Sequence, residues 1–398
     1  EILFIKGVDL LQPTIHLVTF NDSTSNFNIL KDTSTVSADS NSGVELNLDR
    51  FTLINGLFTY KDYISEIQVS AKGINQTVKA NLAKENTMIV SNSSIDSLSL
   101  QMGGITYLHK ARFKALIDLN HNLNLSTLDI KKGDLILNNL NLVSTGDVAF
   151  LEDGSQKINL KLESAKSEVK DLFSLIPSAF KGDYKDVQSE GQFSLKALIN
   201  GIYNSEQSTY PSFDFDMNVK NGKVKYPGMQ FSLDQINLDL NAKDEGNKLE
   251  NTDVRIPVFG FSLNQKKISG NANLIQLQQD TKVSGQIKGG VSLSDFVAFI
   301  PLEAGTSMKG DINADIDFDF NKSAIEKQDY ERIKLKGILD ILNMTYVTID
   351  MPVLQVDQMK LLFDNNACQI PSSNIRFGKS DLSLKGNAIN PLALIMEK

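Results

Sequence analysis

The residues whose types and spacing come nearest to chemistry form the run Asp315-x-Asp317-x-Asp319-x-Asn321, with Glu326 at the twelfth position. That spacing imitates the oxygen ligands of a twelve-residue calcium loop. The imitation fails at the sixth place, where the sharp turn needs glycine and Phe320 stands, and the flanking residues alternate as a strand rather than forming helices. In a strand, carboxylates two apart share one face, so the expected reading is a solvated face and no metal site. The three histidines, His16, His109 and His121, are far apart and show no zinc-ligand spacing. Cys368 is the single cysteine, which rules out an intramolecular disulfide and suits a small buried hydrophobe. No G-x-S-x-G elbow, P-loop or G-x-G-x-x-G is present, and Gly103-Gly104 and Gly289-Gly290 read as bulges or turns. These residues offer no catalytic constellation, so the expectation is a protein without enzymatic activity, cofactor or metal.

What remains is the set of elements that would have held such residues. Net charge is −8 from 40 basic and 48 acidic residues mixed along the chain, which excludes the clustered Lys/Arg surface of a nucleic-acid binder. With 398 residues, 41% of them hydrophobic, the chain exceeds one closed core, so it divides into domains or is elongated. There is no run of about 18 apolar residues to cross a bilayer. The chain opens at Glu1 in the middle of strand-like sequence, and a preceding segment is expected.

Two stretches break an otherwise alternating pattern, VKDLFSLIP at 169–177 and LSDFVAFIP at 293–301. Their offset is constant (293 − 169 and 301 − 177 both give 124). Val169, Leu172, Phe173 and Ile176 match Leu293, Phe296, Val297 and Ile300 in i, i+3, i+4, i+7 spacing, and Pro177 and Pro301 end each stripe. Each predicts a short amphipathic helix that plugs the sheet. Each is followed by a glycine, Gly191 or Gly310, opening an alternating strand. A second phrase, in which a strand, a turn and a short strand ending in Tyr precede a longer strand, recurs around 54–71, 221–240 and 341–361. Asn55-Gly56 and Asn221-Gly222 read there as hairpin turns. Glycines at 73, 133 and 146 and Asp153-Gly154 punctuate as further turns, and Lys31 to Gly43 reads as a polar surface loop. Roughly 22 to 26 strands are expected from runs of typical strand length.

Strict alternation gives each strand one apolar and one wet face, as in Phe213-Asp-Phe215-Asp-Met217. The dry side needs a partner, and alternation leaves both a filled sandwich and an apolar trough open.

The opening LFIKGVDLLQPTIHLVTFNDSTSNFNIL, the two helix–proline phrases and NGKVKY…INLDL at 221–240 resemble the AsmA-like family, in particular its C-terminal regions. The similarity covers essentially the whole chain. It implies a mainly β fold: an elongated, curled antiparallel sheet forming an open groove, with two short amphipathic helices. It also implies a periplasmic protein of the diderm bacterial envelope, held to the inner membrane by an N-terminal helix that this sequence does not contain. The implied partners are phospholipids or other envelope lipids, carried as by chorein-type bridge proteins or used in outer-membrane biogenesis, with no nucleic acid. The groove lining would include Phe113, Ile117, Phe193, Leu195, Phe213, Phe215, Met217, Ile316, Phe318 and Phe320. One continuous body is expected, with an N-terminal β segment to residue 165 and helix-plus-strand repeats at 166–291 and 292–398. The alternative is a secreted or surface-exposed adhesive β-solenoid, suggested by 128–150, although an even coil period is missing. A glycan-binding sandwich would want Trp platforms, and Trp is absent.

Overall fold

A computed structural model describes residues 2–27, 45–80, 86–102, 104–122, 124–164, 167–173, 187–204, 207, 209–226, 230–246, 251–277, 279–297, 302 and 305–392. Strands hold 73% of the chain and helices 6%. The fold class expected from the sequence is therefore the one observed. Contacts divide the chain into two compact units, Glu1–Tyr184 with Ser194–Pro211, and Lys185–Phe193 with Ser212–Lys398. One of the divisions, between Phe193 and Ser194, falls inside the strand Gln188–Tyr203.

The first unit begins with β1 (Ile2–Ile5), β2 (Val8–Leu11), β3 (Thr14–Thr19), β4 (Glu45–Leu48) and β5 (Arg50–Asp62). Here the expectation of antiparallel pairing is corrected: β1 pairs β4 in parallel, and β2 and β3 both lie parallel to β5. Residues 28–44 span the connection between these strands, and the predicted loop at 31–43 lies outside the described residues. An antiparallel meander then runs through β6 (Ile67–Ala80), β7 (Asn86–Met102), β8 (Ile105–Asn122), β9 (Thr127–Leu137), β10 (Leu140–Phe150) and β11 (Gln156–Ser164). After β12 (Ser167–Glu168) comes helix α1 (Val169–Phe173). Strand β13 (Gln188–Tyr203) returns to β11 through residues 196–203.

The second unit contains the start of β13, then β14 (Ser212–Lys225), β15 (Leu233–Asp244), β16 (Asp253–Leu263), β17 (Lys266–Ile275) and β18 (Lys282–Ser292). Helix α2 (Leu293–Phe296) precedes β19 (Ser307–Asn321), and α3 (Lys322–Glu326) with a 3-10 turn at Tyr330–Arg332 precedes β20 (Lys334–Val347). Then come β21 (Leu354–Asn365), β22 (Ala367–Ile370), β23 (Ser373–Phe377), β24 (Ser380–Ser383) and β25 (Gly386–Ile389). Every described pairing from β14 to β25 is antiparallel.

Asn55-Gly56 and Asn221-Gly222 are not hairpin turns. Strands β5 and β14 run straight through them, and each is a β-bulge with the asparagine at positive φ (51° and 49°) and a shift in pairing register. A cross-strand asparagine satisfies each bulge. Asn75 Oδ1 accepts the backbone N–H of Asn55 at 3.0 Å, and Asn237 Oδ1 that of Asn221 at 3.2 Å. Gly73, Gly133, Gly146 and the Gly289-Gly290 pair likewise lie within strands, whereas Gly154 does turn the chain between β10 and β11.

The helix repeat shows in the equivalent backbone sites. Val169 and Leu293 open α1 and α2 and are each 5% exposed. Gly191 and Gly310 have φ of 105° and 113°. A Cβ on Gly191 would meet the Asn221 carbonyl oxygen at 2.8 Å, and one on Gly310 the Asn343 carbonyl oxygen at 2.7 Å. Asn343 also has positive φ, 48°. In both repeats, then, a glycine of one strand lies against an asparagine bulge of the next. The side chain of Phe173, and Ile176, Pro177, Ile300 and Pro301, lie outside what is described.

Candidate functional site

Residues 315–321 of the run singled out for calcium form part of β19, where two of its acids, together with Asp311 earlier on the strand, meet bases across the sheet. Asp315 pairs Lys288 at 2.7 Å, Asp319 pairs Lys282 at 3.3 Å and Asp311 pairs Lys266. The hydrogen bond from Lys288 to Asp315 raises the pKa of that ammonium. On the preceding strands, Asn241 donates to both Asp214 (2.7 Å) and Asp216 (2.8 Å). This is the wet face. Cys368 is 2% exposed, and burial pushes its thiol pKa up, away from the reactive thiolate.

The opposite face carries cross-strand rows of apolar side chains. In the first unit Ile15, Phe58, Ala71, Leu98 and Ala111 pair in sequence across β3, β5, β6, β7 and β8. Phe113 sits between Ile95 and Leu137, and Ile117 shares a row with Gly133, Ser144, Leu162 and Ala197. In the second unit Phe215, Ala242, Val254, Leu274, Val283 and Phe320 form one row. Ile287 and Ile316 belong to another, and Phe318 stands between Gly285 and Leu335. The glycines there make room for rings. A Cβ on Gly285 would approach Phe318 Cζ to 2.9 Å, and one on Gly270 would approach Phe259 Cζ to 2.7 Å. Each phenyl therefore lies over a cross-strand glycine, widening the flat apolar surface.

The lining residues expected from the sequence differ in cover. Phe113, Ile117, Leu195, Phe213, Phe215, Met217, Ile316 and Phe318 are half-buried, with apolar surface in contact with solvent. Phe193 is 2% exposed and behaves as core. Phe320 packs against a cluster of Ala324, Tyr330 and Ile333, contributed by α3 and the turn that follows. Leu172 and Val297 are half-buried, while Phe296 is 37% exposed.

Four features escaped the sequence reading. The Ala324 cap had a signal in KSAIE, whose residues suit a helix better than the alternation before them. Asp244, 1% exposed, accepts from Gly246 N at 2.8 Å and Thr252 Oγ1 at 2.9 Å and closes the end of β15. A cavity of about 500 Å³ brings His16 and His109 together in the first unit. A second cavity, of about 400 Å³ beside β15 and β16, is lined by charges that lie near one another, Lys243–Glu245 at 3.9 Å and Arg255–Asp253 at 4.0 Å.

No described helix is long and apolar enough to cross a membrane. Among the described residues no cluster of three or more His, Cys, Asp or Glu is disposed to hold a metal. Compared with protein-family models, with curated proteins and with solved structures, the chain matches none.

Proposed function

We propose that the chain is a non-enzymatic lipid-binding protein of the AsmA-like kind, which holds phospholipid acyl chains against the apolar faces of its sheets. One observation carries this reading: the apolar rows consist of large side chains that are half-buried rather than closed over by a second layer. A filled sandwich would bury Phe213, Phe215, Ile316 and Phe318 as Phe193 is buried. An acyl chain laid along such a row replaces water. At about 0.8 kcal/mol per methylene, a chain of about 16 carbons with half its surface covered gains about 6 kcal/mol, while the headgroup stays solvated. The process needs no ATP, metal or cofactor. Its setting would be the periplasm of a diderm bacterium, with inner-membrane attachment through a segment preceding this sequence and a role in lipid transport or outer-membrane assembly. A parallel adhesive solenoid has no support in the antiparallel meander.

Site-specific photocrosslinking tests the reading. A benzophenone side chain at Ile316 is expected to capture phospholipid from vesicles, and one at Asp317, next along the strand on the wet face, is not. Equal capture at both positions, or at neither, contradicts it.

A further inference from the structure

The row His16, Thr59, Ser70 and Ser99 runs across β3, β5, β6 and β7. Two residues along, on the same face, runs Val18, Lys61, Gln68 and Gln101, with Thr106 completing it on β8. Leu17, Tyr60, Val69 and Leu100 alternate with them and present their side chains to the apolar face. The cavity of about 500 Å³ thus opens on the wet face, and its volume lies in the range of small-molecule sites, about 300–1,000 Å³.

Its chemistry is one-sided. The lining has one ammonium, two imidazoles, several hydroxyls and two carboxamides, and no carboxylate. His16 Nδ1 is tied to Thr59 Oγ1 at 2.6 Å, which orients the ring and leaves Nε2 as its remaining polar atom. Ser99 Oγ accepts the backbone N–H of Lys110 at 3.0 Å, so its hydroxyl proton is left to donate. The Lys61 ammonium lies 4.3 Å from the centroid of the Tyr63 ring, and among the described residues no carboxylate pairs with it. A cation has no counter-charge here, and an apolar ligand would strand the donors. A single fixed positive charge ringed by neutral donors suits one oxyanion carried on a hydroxylated body.

We propose that this cavity binds a phosphate ester of a small polyol, with Lys61, His16 and His109 on the phosphate and the Thr59, Ser70 and Ser99 hydroxyls on the remainder. Glycerol phosphate, free or as a lipid headgroup, has this chemistry. The site lies on the face opposite the apolar rows, so it stands or falls independently of the acyl-chain reading.

The test follows the imidazole 15N resonances of the full chain during titration with glycerol 3-phosphate, inorganic phosphate and glycerol at constant ionic strength. The two phosphates are expected to shift His16 and His109 saturably, leaving His121 unmoved, and glycerol to shift none. Lys61→Gln is expected to weaken glycerol 3-phosphate binding about tenfold. His109→Gln, an exposed position, serves as a second variant with the same expectation. Short-chain phosphatidylglycerol shifting the same two resonances assigns the site to a lipid headgroup, and its failure beside a positive glycerol 3-phosphate titration assigns a soluble ester. The proposal is overturned by the absence of saturable shifts, by equal shifts at His121, or by unchanged affinity in both folded variants.

Discussion

Phe318 offers the sharpest contrast between an open apolar face and a filled core. Its ring lies over Gly285, with its centroid 6.2 Å from that of Phe320, yet it remains half-buried. Complete burial of a phenylalanine is worth about 1.5–3 kcal/mol, so removing a half-covered ring in Phe318→Asp costs about 1–2 kcal/mol. The lower strand propensity of aspartate adds up to about 1 kcal/mol. The new carboxylate reaches water along the face, so no buried-charge penalty is added. Phe193→Asp is the internal comparison, because that ring is 2% exposed. There truncation alone costs about 3–5 kcal/mol, and an unpaired buried carboxylate adds further to it. Asp317→Asn, an exposed change, is expected to stay within about 0.5 kcal/mol. Urea unfolding supplies the stabilities, and phosphorus analysis of protein equilibrated with vesicles and re-purified supplies the bound lipid. The expected pattern is a folded Phe318→Asp with sharply reduced lipid and a Phe193→Asp that is barely folded. If Phe318→Asp is as destabilising as Phe193→Asp, or keeps its full lipid complement, the reasoning about the open face is refuted.

Gly191→Ala and Gly310→Ala, both forced to positive φ against a neighbouring backbone, are each expected to cost at least about 1–3 kcal/mol in urea unfolding. Unequal effects, one neutral and one severe, would contradict their structural equivalence. Asn75→Ala and Asn237→Ala each remove the acceptor of a bulge N–H and are expected to lower stability by about 1 kcal/mol, whereas Asn92→Ala in the neighbouring strand serves as a control. Asp280 accepts the backbone N–H and hydroxyl of Ser323, both at 2.8 Å, and the backbone bond is the leading cause of its lowered pKa. A carboxylate with a depressed folded pKa adds stability above its unfolded value and loses it as pH falls through the folded one. Asp280→Asn should therefore melt below wild type at neutral pH and converge with it as pH falls through the carboxylate's folded pKa; a constant gap would show that charge plays no part.

Much of the fold was legible because alternation with period two is a direct image of a one-sided sheet. The strict phrases around Phe213 and Ile316 became strands whose apolar and acidic faces separate as read. The Asn-Gly pairs were misread for a definite reason. A two-residue hairpin and a one-residue bulge both separate the flanking inward residues by an odd number, so Val219 and Val224 fit either. What decides is the cross-strand Asn237, which supplies the acceptor a bulge requires and lies beyond any local window. The parallel start is similar, since β2 and β3 reach β5 across a connection whose geometry no periodicity encodes. At the candidate site, the identity of the apolar residues was readable but their degree of cover was not. Phe193 and Phe318 both lie on alternating strands that follow the helix phrases, and only tertiary packing makes one core and the other open. The His16–His109 cavity was hidden because its donors come from five strands, one or two residues each.

The most direct test of the central claim is mass spectrometry of an organic extract of the protein purified without detergent. The acyl-chain account predicts phospholipid in stoichiometric amount with wild type and strongly reduced with folded Phe318→Asp. Wild-type protein that carries no extractable lipid, and takes up none from vesicles, would contradict it.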